Sequence, residues 1–187
     1  MNKIEITVPE GMRAEWVNGV LTLVEDGPKN VTDRIKTFED ACRELGDEHQ
    51  YVRAYREWMR IGYAGCEDIV AYLKLRIIIA ALNEGWEPQF TEDEYRYYPW
   101  FYLYKQEEID AMDEKQRQGL HLFGGAASDG AAAGFASAYS YDSPSNAAAA
   151  FGSRLCMKTR DLAVYCGQQF CDVWADYLLI VKKGGEE

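Results

Sequence analysis

The chain has 187 residues, 48% of them apolar and 27% charged, and its 31 acids against 20 lysines and arginines give a formal net charge of −11. That length and balance suit one globular domain over 1–187 with a sizeable core, and they exclude wholesale disorder. The negative charge argues against general nucleic-acid binding, because affinity for a phosphate backbone comes mainly from Lys and Arg.

The N-terminus reads as a β-hairpin over 1–25. Ile4, Ile6 and Val8 alternate with polar residues, Pro9-Glu10-Gly11 breaks the run, and Val17 to Val24 supplies a second strand. The alternative puts a tight turn at Asn18-Gly19, between Met12–Val17 and Val20–Val24. Asp26 to Asn30 reads as a linker. A helical section then spans 37–83. Thr37-Phe38-Glu39-Asp40 fits a capping box that opens a short helix closed near Gly46. Residues Glu48 to Ile61 carry Tyr51, Tyr55, Trp58 and Met59 at helical spacing. Cys66-Glu67-Asp68 begins a stronger helix with Gly85 past its end; Ile69, Val70, Leu73, Ile77, Ala80 and Ala81 form a wide stripe that Ile78 and Ile79 extend nearly all round, as in a helix buried at a domain centre.

Seven of the ten residues from Tyr95 to Tyr104 are aromatic, which predicts a strand packed on two sides with Pro99 at a bulge or edge. Ten acids face only Arg96 and Lys105 between Glu84 and Glu114, and they flank that strand as solvated connections would. From Gly119 to Ser153, 23 of 35 residues are Ala, Gly or Ser and none is Lys, Arg or Glu, the composition of a variable loop that buries little area per residue. Arg154–Lys158 reads as a short strand, antiparallel to Tyr95–Tyr104, and Thr159 as the N-cap of a final helix to about Leu178 with Leu162, Cys166, Phe170, Val173 and Tyr177 on its buried stripe. Val181 to Gly185 reads as a frayed tail. The expected architecture is therefore α+β: an N-terminal β-hairpin, central helices, and a small antiparallel sheet with a C-terminal helix packed on it. Leu73, Ile77, Ile78, Trp100, Phe170 and Trp174 are expected to share one core.

Several chemistries are absent. The chain has no Gly-x-x-x-x-Gly-Lys-Ser/Thr loop, no Gly-x-Gly-x-x-Gly after a strand, no His-Glu-x-x-His and no Gly-x-Ser-x-Gly. Its five cysteines (Cys42, Cys66, Cys156, Cys166, Cys171) are odd in number and irregular in spacing, which suits free thiols better than a disulfide framework or a metal site. Of the two histidines, His121 lies beside Leu120, Leu122 and Phe123, the setting of a core group rather than a base. Glu92-Asp93-Glu94 and Glu107-Glu108 read as solvated faces. No cofactor, no metal and no catalytic residue is assigned, and an enzyme is the less favoured reading. The longest strongly apolar run, Ile77 to Leu82, is too short to span a bilayer, and Met1-Asn2-Lys3 does not lead into an apolar signal core, so neither a membrane nor a secretory route is expected.

The polar feature of most interest is Gly152-Ser153-Arg154 followed by Lys158-Thr159-Arg160, three cations at the start of a helix in a strongly acidic chain. With Phe135, Tyr139 and Tyr141 of the preceding segment, Arg154, Lys158 and Arg160 make the expected binding face for a partner or a small anionic ligand. Two bland readings compete: the aromatics merely dock on the sheet, and Arg154 and Arg160 pair with upstream acids.

Ala81-Leu82-Asn83-Glu84-Gly85-Trp86-Glu87-Pro88, Tyr97-Tyr98-Pro99-Trp100-Phe101, Gly152-Ser153-Arg154-Leu155-Cys156 and Leu162 to Phe170, with Lys36 to Cys42 and the opening Ile-x-Val-Pro-Glu-Gly, resemble an uncharacterised family of small proteins encoded by phages and prophages of gut Bacteroidetes. The resemblance runs along most of the chain and leaves 107–151 variable. It implies a phage context, the host cytoplasm or the virion as the location, and no particular reaction. The expected function is a non-enzymatic accessory protein that binds a host protein or small ligand, with modulation of host defence as one role; a virion component and an enzyme of unrecognised type are the alternatives.

Overall fold

The computed structural model describes residues 6–17, 19–25, 30–62, 65–89, 91, 93–117, 121–122, 134–144 and 153–179. The expectations for Ile4, for the linker at 26–29 and for the tail from Val181 lie outside them, as do the side chains of Phe135, Tyr139, Tyr141 and His121. Within them the chain is α+β, with an N-terminal hairpin, a helical centre and a sheet against which the C-terminal helices pack.

Strands β1 (Met12–Val17) and β2 (Val20–Glu25) pair antiparallel from Val17↔Val20 outward, with Gly19 at φ +80° in the connection. The tight turn at Asn18-Gly19 is thus the reading that holds, and the one that paired Ile4–Val8 with Val17–Val24 does not. The reason is local: a two-residue turn needs backbone that glycine adopts without steric cost.

Four helices follow, each with a stop or start written nearby. In α1 (Val31–Arg34) the Asn30 side chain accepts from the Thr32 N–H at 3.1 Å. In α2 (Phe38–Leu45) the Thr37 hydroxyl accepts from the Asp40 N–H at 3.1 Å while the Asp40 carboxylate accepts from the Thr37 N–H at 2.8 Å, the reciprocal capping box. His49 caps α3 (Gln50–Ile61) through Nδ1, 3.3 Å from the Tyr51 N–H, and Gly62 ends it in the left-handed region. The longest, α4 (Glu67–Leu82), buries Ala71, Leu75, Ile77, Ile78, Ile79, Ala81 and Leu82 against α2, α3 and the C-terminal helices. It is the central helix expected, but its first half turns Ala71 and Leu75 inward and leaves Ile69, Val70 and Leu73 half-buried.

The sheet has the order β3 (Tyr95–Tyr104), β5 (Gly134–Pro144), β4 (His121–Leu122), with antiparallel neighbours, and the short helices α5 (Gln106–Asp110) and α6 (Glu114–Arg117) lie between β3 and β4 in the chain. A bulge interrupts the β3–β5 register between Trp100 and Phe101. Only the first half of β3 is packed on both sides: Arg96, Tyr98 and Pro99 are buried, whereas Trp100 and Leu103 are 38% and 51% exposed. Trp100 therefore falls outside the core assigned to it, and Leu73 is also not fully buried. Ile77, Ile78, Phe170 and Trp174 do share one cluster, with Phe101 and Tyr97 packed on it from the sheet.

Two further expectations are corrected. The partner strand of β3 is β5, inside the segment read as a small-residue loop, because small residues can pair along a backbone that bulky β3 side chains cover. The stretch Arg154–Lys158 is no strand: Ser153–Leu155 is a turn of 3-10 helix, and only Met157 pairs, exchanging both backbone bonds with Tyr97 at 2.9 and 3.1 Å. The other edge of Met157 is taken by one side chain, since Asn83 donates to the Cys156 carbonyl at 2.9 Å and accepts from the Lys158 N–H at 3.0 Å. Beyond it Thr159 caps α7 (Arg160–Gln169) by accepting from the Leu162 N–H at 3.3 Å. The final helix is in fact two: Phe170, with ψ of 33°, breaks it, and α8 (Cys171–Leu178) carries Trp174 into the core. All five cysteines are free thiols.

Candidate functional site

Asn83 and the residues after it shape the region where the chain can hold a ligand. Glu84 takes a left-handed conformation (φ +50°), uncommon for a residue with a Cβ, and Gly85 follows at φ +81°. The Trp86 N–H closes the turn onto the Asn83 carbonyl at 2.9 Å. Glu84 is held there by two cations, Lys158 at 2.8 Å and Arg34 at 2.8 Å, and Arg34 also pairs with Glu44 at 2.9 Å. The hydrogen bond from Lys158, then that from Arg34, keeps the Glu84 carboxyl below the usual glutamate range.

This turn throws Trp86, Glu87 and Pro88 across a cleft of about 420 Å³. Its other walls are the corner between α2 and α3 (Leu45, His49, Tyr51), the outer side of α4 (Arg76, Ile79), and the 3-10 turn with Arg154 and Cys156. Arg76 interrupts the most apolar part of α4. Its guanidinium carbon lies 4.1 Å from the centre of the Tyr51 ring, and its Nη1 donates to the Tyr72 hydroxyl, one turn earlier, at 3.2 Å. The arginine is thereby fixed by two aromatic residues rather than by an acid. Among the described residues neither Arg76 nor Arg154 forms an ion pair, while Arg34 and Lys158 are neutralised by Glu44 and Glu84. Burial pushes the one thiol of the cleft, Cys156, up to about 11, which keeps it protonated at neutral pH, and its Sγ donates to the Ser153 carbonyl at 3.1 Å.

The expected binding face is divided by the fold. Phe135 stands opposite Leu103 on one side of the bulge, and Tyr139 and Tyr141 stand opposite Trp100 and Tyr98 on the other. Leu103 is six residues along β3 from Tyr97, the partner of Met157, so Phe135 lies roughly 20 Å of strand away from the cation segment. The three cations also part company. Arg154 faces the cleft, Lys158 is engaged by Glu84, and Arg160 is exposed as the first residue of α7. Among the described residues it is Lys158, not Arg154 or Arg160, that pairs with an upstream acid, Glu84. Sequence reasoning missed Arg76, Tyr51 and Trp86. The available signal was a cation inside the run Leu75 to Leu82, together with two segments of the family resemblance, whose residues Asn83 to Pro88 and Ser153 to Cys156 meet at this cleft.

Among the described residues no three His, Cys, Asp or Glu side chains are grouped to hold a metal ion, and no helix is long and apolar enough to cross a membrane. No family model matches the chain, and neither a curated protein nor a solved structure does.

Proposed function

We propose that the chain is a non-enzymatic binding protein whose cleft takes a small anionic ligand between Arg76 and Arg154. One observation carries this reading: in a chain of net charge −11, two arginines line the same cleft and neither is neutralised by a described carboxylate. Guanidinium groups present several N–H donors in a plane, which matches carboxylate and phosphate oxygens. The rest of the molecule repels anions, so affinity must come from these two groups at short range and should fall as salt screens them. The protonated Cys156 supports holding a ligand over attacking it. The resemblance to phage-encoded proteins supports an accessory role in which a ligand of the host cytoplasm is sequestered or sensed; of the residues expected to bind a host protein only Arg154 lines this cleft, and the virion reading draws on none.

Calorimetric titration of the full chain with inorganic pyrophosphate at low salt tests this reading. Measurable binding that is lost in both Arg76→Gln and Arg154→Gln, in variants that melt like the parent, is the expected result. Binding that survives both substitutions, or no binding of any small anion, removes it.

A further inference from the structure

We infer that the anion held in this cleft is a nucleoside phosphate, with its phosphate at Arg76 and Arg154 and its base against Trp86. The inference rests on the anion-binding reading above and adds the chemistry of the rest of the ligand. The first argument is size. A cleft of about 420 Å³ lies within the range, on the order of 300–1,000 Å³, of pockets that take ligands of many atoms, and an inorganic phosphate would leave most of it to water.

The second argument is the nature of the walls. Besides the cations the cleft is lined by Trp86 and Pro88, both half-buried, while Tyr51 is covered on one face by the Arg76 guanidinium. A tryptophan ring lining the same cleft as two cations offers π-stacking to the flat face that every base carries and a ribose lacks. Glu87, the one acid among the lining residues, is exposed beside Trp86 and offers acceptor oxygens to the N–H groups on a base edge. Asn83 is not available for that task, because both ends of its amide are already bonded to Cys156 and Lys158.

The third argument limits the ligand to one nucleotide unit. Two cations suit one phosphate group or a short phosphate chain, and a net charge of −11 opposes a polynucleotide.

The test is calorimetric titration of the full chain with the four ribonucleoside monophosphates, ribose 5-phosphate and inorganic phosphate at one low salt concentration. At least one nucleoside monophosphate is expected to bind tenfold or more tightly than ribose 5-phosphate. Trp86→Leu should erase that margin without changing ribose 5-phosphate binding, Trp86→Phe should keep part of it, and Arg154→Gln should weaken both ligands; circular dichroism confirms that each variant is folded. Equal affinity for ribose 5-phosphate and all four nucleotides, or a margin that survives Trp86→Leu, overturns the nucleoside assignment and leaves anion binding standing. Failure of every phosphate compound to bind overturns both.

Discussion

Two tryptophans show how differently the ends of this chain use the same residue types. Trp174, in α8, is fully buried among α4, the sheet and Phe170, with Phe101 at 5.6 Å between ring centres. Trp16, in β1, is 71% exposed. The hairpin is as well patterned as the body: Ala14 stands opposite Leu23 and Trp16 opposite Leu21, giving it one apolar face. Among the described residues that face has no covering layer, since β1 and β2 pack chiefly on each other. An amphipathic pattern specifies which way side chains alternate, whereas burial needs a second element within reach. Apolar periodicity is thus evidence for an element, and only weak evidence for its membership of the core.

The comparison breaks most visibly at Trp174. Replacing it by Ala should cost about 3–5 kcal/mol, and Ile77→Ala or Phe170→Ala about 2–5 kcal/mol, in chemical denaturation. Losses under 1 kcal/mol would show that the body is no better packed than the hairpin. Asn83→Ala comes next, at about 1–3 kcal/mol, because it leaves the Cys156 carbonyl and the Lys158 N–H without the bonds that end the sheet. Thr37→Ala should cost about 1 kcal/mol by removing one half of the capping box.

A smaller effect concerns acid. The folded state holds the Glu84 carboxyl below its ordinary value, so its contribution is complete above the unfolded-state pKa and is lost as pH falls through the folded one. Glu84→Gln should therefore flatten the decline of melting temperature in the acid range while lowering it at neutral pH; parallel curves for the two proteins would contradict the ion-pair account. The side chain is 40% exposed, so the difference will be modest. The smallest effect sharpens the comparison from the other side: Trp16→Ala should change stability by no more than about 0.5 kcal/mol.

These magnitudes follow how local each feature is. The Thr37–Asp40 box, the Thr159 cap and the helix from Glu67 to Leu82 are legible in the sequence because each depends on neighbours within four residues or on a periodic stripe. The buried face of α4 was legible only in its second half; in the first half, which of Leu73 and Leu75 turns inward depends on where α8 lies. The break at Phe170 carries no proline or glycine, so the sequence pattern reads as one continuous helix. At the site, Arg154 was legible as an unusual cation in an acidic chain, whereas Arg160 drew attention by sequence adjacency that the fold does not preserve.

The sequence by itself determined the α+β class, the hairpin, the helix caps and the aromatic strand, all products of short-range sterics and of apolar patterning. Tertiary structure alone decided that β3 pairs with a strand of small residues some forty positions later, that Asn83 ends the sheet at Met157, and that Arg76 and Arg154, 78 positions apart, line one cleft. Such choices turn on which distant backbone or side-chain group reaches a given edge once loops have closed and water has left, and no local pattern records them.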